Sequence, residues 1–133
     1  MSNSAIYTIN ATNMAVNTTA GTFVQVPFGS VQRRFGRQLA MDGGSILCCG
    51  SGYFDILSIL SFTPTDVGTL NVQVRQDNVV VASASCTGTA GSTSVVPVTG
   101  LARNCGKCCN TALTLWIDQP GTMDQASTVV ETK

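Results

Sequence analysis

Apolar positions in this chain of 133 residues recur with a period of two. In "GTLNVQVRQ", Leu70, Val72 and Val74 alternate with Asn71, Gln73 and Arg75; in "TALTLWI", Leu113, Leu115 and Ile117 alternate with Ala112, Thr114 and Trp116. Successive side chains of a strand point to opposite faces, so this alternation predicts half-buried β-strands. No dozen-residue segment carries the 3.6-residue period of an amphipathic helix. The stretch "GYFDILSILSFTP" is different. Phe54, Ile56, Leu60 and Phe62 fall on one face, and Tyr53, Leu57 and Ile59 make the other face apolar as well. Such a strand needs cover on both sides, from a second sheet and from a neighbouring subunit.

Turn chemistry divides the rest. "QDN" at 76–78 predicts a hairpin with "VVVASAS", because Asp and Asn tolerate left-handed backbone. "TGTAGS" (87–92) predicts a loop, "TSVVPVTG" (93–100) a strand in which Pro97 marks an edge or a bulge, and "ASTVVET" (126–132) a closing strand. Upstream, "AIYTIN" (5–10) and "GTFVQVPFGS" (21–30) read as strands, and "VQRRFGRQLAMDGG" (31–44) as one longer strand ending in a Gly-Gly turn. The total, roughly eight to ten strands, suits two packed antiparallel sheets, so the expected fold is all-β, a two-sheet sandwich or jelly roll. Residues 1–30 are expected to form an N-terminal strand or arm, serving as an anchor or intersubunit segment, and residues 31–133 the jelly-roll domain.

Charge adds a constraint. Charged residues make up only 11% of the chain, well under the ~25% of an ordinary soluble domain, which suits a surface largely covered by partners. Seven basic and seven acidic residues cancel without forming a basic stripe, so nucleic acid is not an expected partner. Arg33, Arg34 and Arg37 in "RRFGR" are the one basic cluster and a candidate partner contact. The N-terminus lacks the basic start and apolar run of a secretory signal. The longest apolar stretch is broken by Asp55 and Ser58 and is too short to span a bilayer as a helix. Membrane insertion is therefore not expected, and synthesis in a cytoplasm is, where cysteines default to thiols or metal ligands.

The chain has no histidine, which removes the commonest general base and every Ser-His or Cys-His nucleophile arrangement. Neither a P-loop nor a dinucleotide fingerprint is present. Asp42, Asp55, Asp66, Asp77, Asp118, Asp124 and Glu131 are dispersed singly along the sequence. No enzymatic activity is expected. Sulfur is the remaining chemistry: "ILCCG" holds Cys48 and Cys49, and "RNCGKCCN" holds Cys105, Cys108 and Cys109. Cys105 and Cys108 form one Cys-x2-Cys knuckle of the kind that holds structural zinc, but the adjacent pair does not supply the second. Disulfides from Cys48 or Cys49 to the later cluster would require α-carbons within ~7 Å. Free thiols, a bridge and a shared ion are the three readings. Cys86, alone, reads as a small core residue. Apart from that zinc, no cofactor is expected.

The motif order has a counterpart. The aromatic "GYF" strand, "FTPTDVGTLNVQV", the "QDNVVVASAS" hairpin, "STSVVPVTGL", a cysteine-rich turn and "TALTLWI" resemble small trimeric jelly-roll proteins of phages and Gram-positive bacteria. These are similar to complement globular-head and tumour-necrosis-factor-like domains. The resemblance covers about residues 30–120 and implies a homotrimer packed around an axis. Tyr53, Phe54, Ile59 and Trp116 are then the candidates for its interface or core. No Gly-X-Y stalk precedes the globular part, so the expectation is a decoration or head-fibre component on the capsid surface of a phage-like virion, with the major capsid protein or another coat protein as partner. The alternative is a module that binds a host-surface glycan through its loops.

Overall fold

Among the residues described by the computed structural model, 4–10, 13–104 and 110–132, there are twelve β-strands and no helix. In chain order they are β1 (Ala5–Asn10), β2 (Met14–Val16), β3 (Val24–Val26), β4 (Ser30–Phe35), β5 (Leu39–Asp42) and β6 (Ser45–Cys49). The second half supplies β7 (Gly52–Pro64), β8 (Gly68–Gln76), β9 (Val79–Gly88), β10 (Ser94–Asn104), β11 (Asn110–Ile117) and β12 (Gly121–Thr132). They form two antiparallel layers. The first runs β4-β1-β12-β7-β10, with β2 on β12; the second runs β9-β8-β11-β6-β5, with β3 on β11. This is the jelly-roll sandwich that the alternation predicts.

The count exceeds the expected eight to ten for a local reason. The segment 31–44 is two strands, because Gly36 takes a φ of +82° that side-chain-bearing residues resist, and the chain leaves the first layer at β4 to enter the second at β5. The short β2 and β3 add the rest. β1 lies inside the first layer, paired with β12 on one side and β4 on the other. The hairpin at 76–78 forms as its residues dictate: Asp77 and Asn78 have φ of 48° and 71°, the left-handed pair of a two-residue turn whose twist matches its strands. Pro97 lies in β10, which pairs with β7 over its whole length but meets β9 only at Gly100 and Ala82. That open edge is where a residue without an N–H belongs.

Phe54, Ile56, Leu60 and Phe62 of β7 point into the core and meet Leu70, Val72 and Val74 of β8 and Leu113, Leu115 and Ile117 of β11 in one continuous cluster. Two contacts close the sandwich at its sides. On one, Arg34 of β4 donates from Nε to the carbonyl of Leu39 in β5 at 2.6 Å. On the other, β9 crosses so close to Gly100 that a Cβ there would overlap the Val81 carbonyl oxygen and the Ala82 side chain. One row across the core is polar: Thr8, Thr128 and Ser58 stand side by side on β1, β12 and β7. Ser58 and Thr128 share a hydrogen bond of 2.9 Å, whereas Thr8 Oγ1 is buried without a partner.

Both features predict stability changes of opposite sign. Gly100→Ala inserts a methyl group into the seam and should lower unfolding free energy by about 1–3 kcal/mol. Thr8→Val removes an unsatisfied hydroxyl at constant shape and should raise it by about 1 kcal/mol. Urea denaturation of the two variants beside the parent measures both.

Candidate functional site

The same pleat that buries half of β7 presents the other half outward. Pairing then sets its residues in rows across the first layer. Ile9, Ser127, Ile59 and Pro97 form one row, and Tyr7, Val129, Leu57 and Thr99 the next. Tyr53, Leu57, Ile59 and Leu101 are each 40–47% exposed, and Val95 and Phe35 reach 63% and 60%. At the β4 margin the face dips into a shallow cleft of about 160 Å³ lined by Ala5, Tyr7, Arg33, Phe35 and Val129. A contiguous apolar surface of this kind on one sheet is unfavourable in water and marks an interaction site.

Charge is confined to the margins, with Arg33 on edge strand β4 opposite Tyr7. The next row sets Glu131 beside Asp55, with Leu101 on its other side; carboxylates dispersed in sequence are thus brought together by strand register. In the following row Arg103 lies over the Tyr53 ring, 5.6 Å from its centroid. A cation over an aromatic face adds a favourable electrostatic contact and keeps that end of the face polar.

Of the candidate interface or core residues, Tyr53 and Ile59 are on this face. Phe54 is fully buried on the opposite side of β7. Trp116 lies in the other layer, facing away from the core between buried Leu115 and Ile117, with the Arg75 guanidinium 4.3 Å from its ring. Parity of position separates these residues: odd-numbered positions of β7 face out, even-numbered positions face in. Tyr7, Val129 and Leu101 complete the face, and only the strand register identifies them. The arginines of "RRFGR" are exposed but do not converge. Arg33 borders the apolar cleft, Arg34 spans the layers, and Arg37 offers its backbone N–H to Ser4 Oγ at 3.1 Å.

Of the cysteine cluster, Cys105, Cys108 and Cys109 lie outside the described residues. Cys48 and Cys49 pair with Thr111 and Asn110 at the start of β11, and among the described residues neither they nor Cys86 is bridged to another cysteine. Among the described residues no group of three or more His, Cys, Asp or Glu side chains is placed to hold a metal ion. A polar network missed in the sequence organises this end. Gln76 Nε2 lies 2.7, 2.8 and 3.0 Å from Thr111 Oγ1, Asn104 Oδ1 and the Arg103 carbonyl. Asn104 donates in turn to the Cys48 carbonyl at 2.9 Å. Four strands from both layers are thereby held together where the segment 105–109 departs and returns.

The Cys48 thiol is fully buried, and its pKa is pushed from 9.0 up to about 12, first by burial and then by the neighbouring charges of Cys49 and Asp77. An unfolded chain ionises this thiol from about pH 9, whereas the folded chain holds the proton until about pH 12. Its contribution to stability is complete below pH 9 and is lost as pH rises through that window. Stability should therefore fall more steeply between pH 8 and pH 10.5 in the parent than in Cys48→Ala, as read from urea midpoints. Equal slopes would refute the assignment.

No family model and no curated protein matches the sequence. The fold does match solved structures. Murine APRIL at pH 5.0 superposes with a TM-score of 0.71 at 12% identity, covering 96% of this chain and 98% of that one. The PRD1 vertex protein P5 gives 0.66 at 11% identity, covering 98% and 96%. The globular domain of zebrafish complement 1qA protein gives 0.61 at 13% identity, covering 96% and 94%. The chain thus has the jelly-roll fold of the tumour-necrosis-factor-like and complement globular-head domains that its motif order resembles.

Proposed function

We propose that this protein is a non-enzymatic structural component that assembles as a homotrimer through the outward face of β7, β10, β12 and β1. On this reading it decorates the capsid of a phage-like virion, as a decoration or head-fibre protein seated on the major capsid protein or another coat protein. The observation that carries the reading is the apolar face itself. Three copies turned inward would bury Leu57, Ile59, Val129 and Tyr7, and closed symmetry would leave no fourth face to propagate. The trimer implied by the resemblance has the same requirement. Likeness in fold to a vertex protein supports the particle role, and the absence of histidine supports the non-enzymatic one. Arg33, beside the cleft at the margin of the face, and the exposed Arg37 are the polar groups best placed for a contact with a coat protein.

Sedimentation equilibrium should give three times the chain mass of 13.8 kDa at micromolar concentration. Leu57→Glu and Ile59→Glu should each yield folded monomers, because three like charges would meet in a desolvated interface. A stable parent monomer would sink the assembly. The particle role has its own test, quantitative mass spectrometry of purified virions. A stoichiometric amount of the chain supports decoration, and its absence from virions overturns that role while leaving the trimer standing.

A further inference from the structure

The outward face of the second layer is built differently. Where the first layer shows aliphatic rows, this one shows amides and hydroxyls in register: Ser83 opposite Gln73 and Ser85 opposite Asn71, with Trp116 on the far side of Gln73. A groove of about 370 Å³ runs here, lined by Phe23, Asn71, Gln73, Ser83 and Ser85 and floored by the strands at Val72 and Ala84. Its size falls within the range of small-molecule sites. No charged side chain lines it.

Two ion-based contacts fix what the groove presents. Asp118, nearly buried, accepts the Asn71 backbone N–H at 2.8 Å and Asn71 Nδ2 at 2.7 Å. A carboxylate accepts only, so the Asn71 amide must turn its nitrogen toward it and leave Oδ1 free as an acceptor. Arg75 donates from Nε to Gln73 Oε1 at 3.0 Å. The guanidinium only donates, so Gln73 must give its oxygen and keep Nε2 as a free donor. The Arg75 guanidinium is itself stacked 4.3 Å from the Trp116 ring centroid and 5.1 Å from that of Phe23. Phe23 and Gln73 are thereby held by one group. Asn71 Oδ1, Gln73 Nε2 and the Ser83 and Ser85 hydroxyls have no partner among the described residues.

We infer that this groove is a binding site for an uncharged oligosaccharide. A pyranose offers hydroxyls that both donate and accept, together with an apolar face of C–H groups. The groove answers with an oriented acceptor, an oriented donor, two hydroxyls that do either, and the Phe23 ring as an apolar wall. An acidic ligand would find no cation in the lining. Orientation fixed before binding lowers the ordering cost, which is how a small polar site reaches useful affinity. The site lies on the layer opposite the apolar face, so it stays open whether or not the chain assembles, and its test is independent of that assembly.

Trp116 is the sole tryptophan of the chain and stands beside the groove, so its fluorescence reports on this site. The full-length protein is first applied to an array of neutral glycans. The best binder, with lactose, maltotriose and N,N′-diacetylchitobiose, is then titrated while tryptophan emission is followed. A saturable change with Kd of about 1 mM or tighter is expected. Phe23→Ala and Ser83→Leu, one removing the wall and one filling the groove, should each weaken it about tenfold or more. Ser83 is exposed, so the second variant keeps the test valid if the first destabilises the fold. No binding across the neutral array would overturn the inference. So would affinity unchanged in both variants, or digalacturonate or hexaglutamate binding this site more tightly than any neutral sugar.

Discussion

The pleat of β7 is the constraint on which the rest depends. Thirteen residues of strand are flanked by β12 and β10 along almost their whole length, so none can rotate about the strand axis without breaking two ladders. Even-numbered positions must then fill the sandwich and odd-numbered positions must leave it. Because both sets are mostly aliphatic or aromatic, the fold cannot hide its second set within one chain. A one-residue slip would exchange Phe54, Ile56, Leu60 and Phe62 for Tyr53, Asp55, Ile59 and Ser61. That exchange would place a carboxylate inside, and the cost of burying it unpaired exceeds anything gained. Register and outward face are therefore fixed by the same residues.

Closure follows from this placement. The two layers meet edge to edge at a single point, Gly100 against Ala82, and at the other side through the Arg34 bond to Leu39. Neither seam is a continuous ladder. Buried side-chain bonds take over at the end of the sandwich, where Gln76 and Asn104 link β8, β10, β11 and β6. Amides suit this task because each carries a donor and an acceptor and can join strands whose backbones do not pair. The row of Thr8, Thr128 and Ser58 is a partial version of the same device, with one hydroxyl left over.

How much was legible in the sequence depends on the range of the interaction. The alternation in β7, β8 and β11 states each strand's two faces, and "QDN" states its turn, because both are decided within a few residues. The break at Gly36 was missed, since a glycine within an apparent strand pattern reads equally well as a bulge. The role of Phe54 and Trp116 required knowing which layer each strand joins. That information lies in pairings such as Tyr7 with Val129, more than a hundred residues apart, and no local pattern contains it. Gln76 and Asn104 gave no signal at all, because an amide in a turn-rich sequence looks like solvent-facing turn chemistry until its burial is known. The pair of Asp55 and Glu131 was hidden for the same reason.

The two outward faces divide the surface by chemistry. On the first layer the central outward rows are mostly Ile, Leu, Val, Tyr and Pro, whose favourable partner is another apolar surface. On the second they are mainly Asn, Gln, Ser and Thr around Trp116 and Arg75, and these polar groups lose hydrogen bonds to water if covered by such a surface. One face therefore gains by being buried, and the other gains only from a ligand that replaces water bond for bond. The low charge of the chain is consistent with both, since ions sit only at the margins of the apolar face and none lines the polar groove. A sandwich separates the two faces by the full thickness of its core, so residues on one can change without disturbing the other. Between the centres of the two faces lie Val72, Leu115 and Ile117 of one layer and Phe54, Leu60 and Phe62 of the other. These are close-packed aliphatic and aromatic groups with no polar atoms to reorganise, and such a core transmits little beyond its own rigidity.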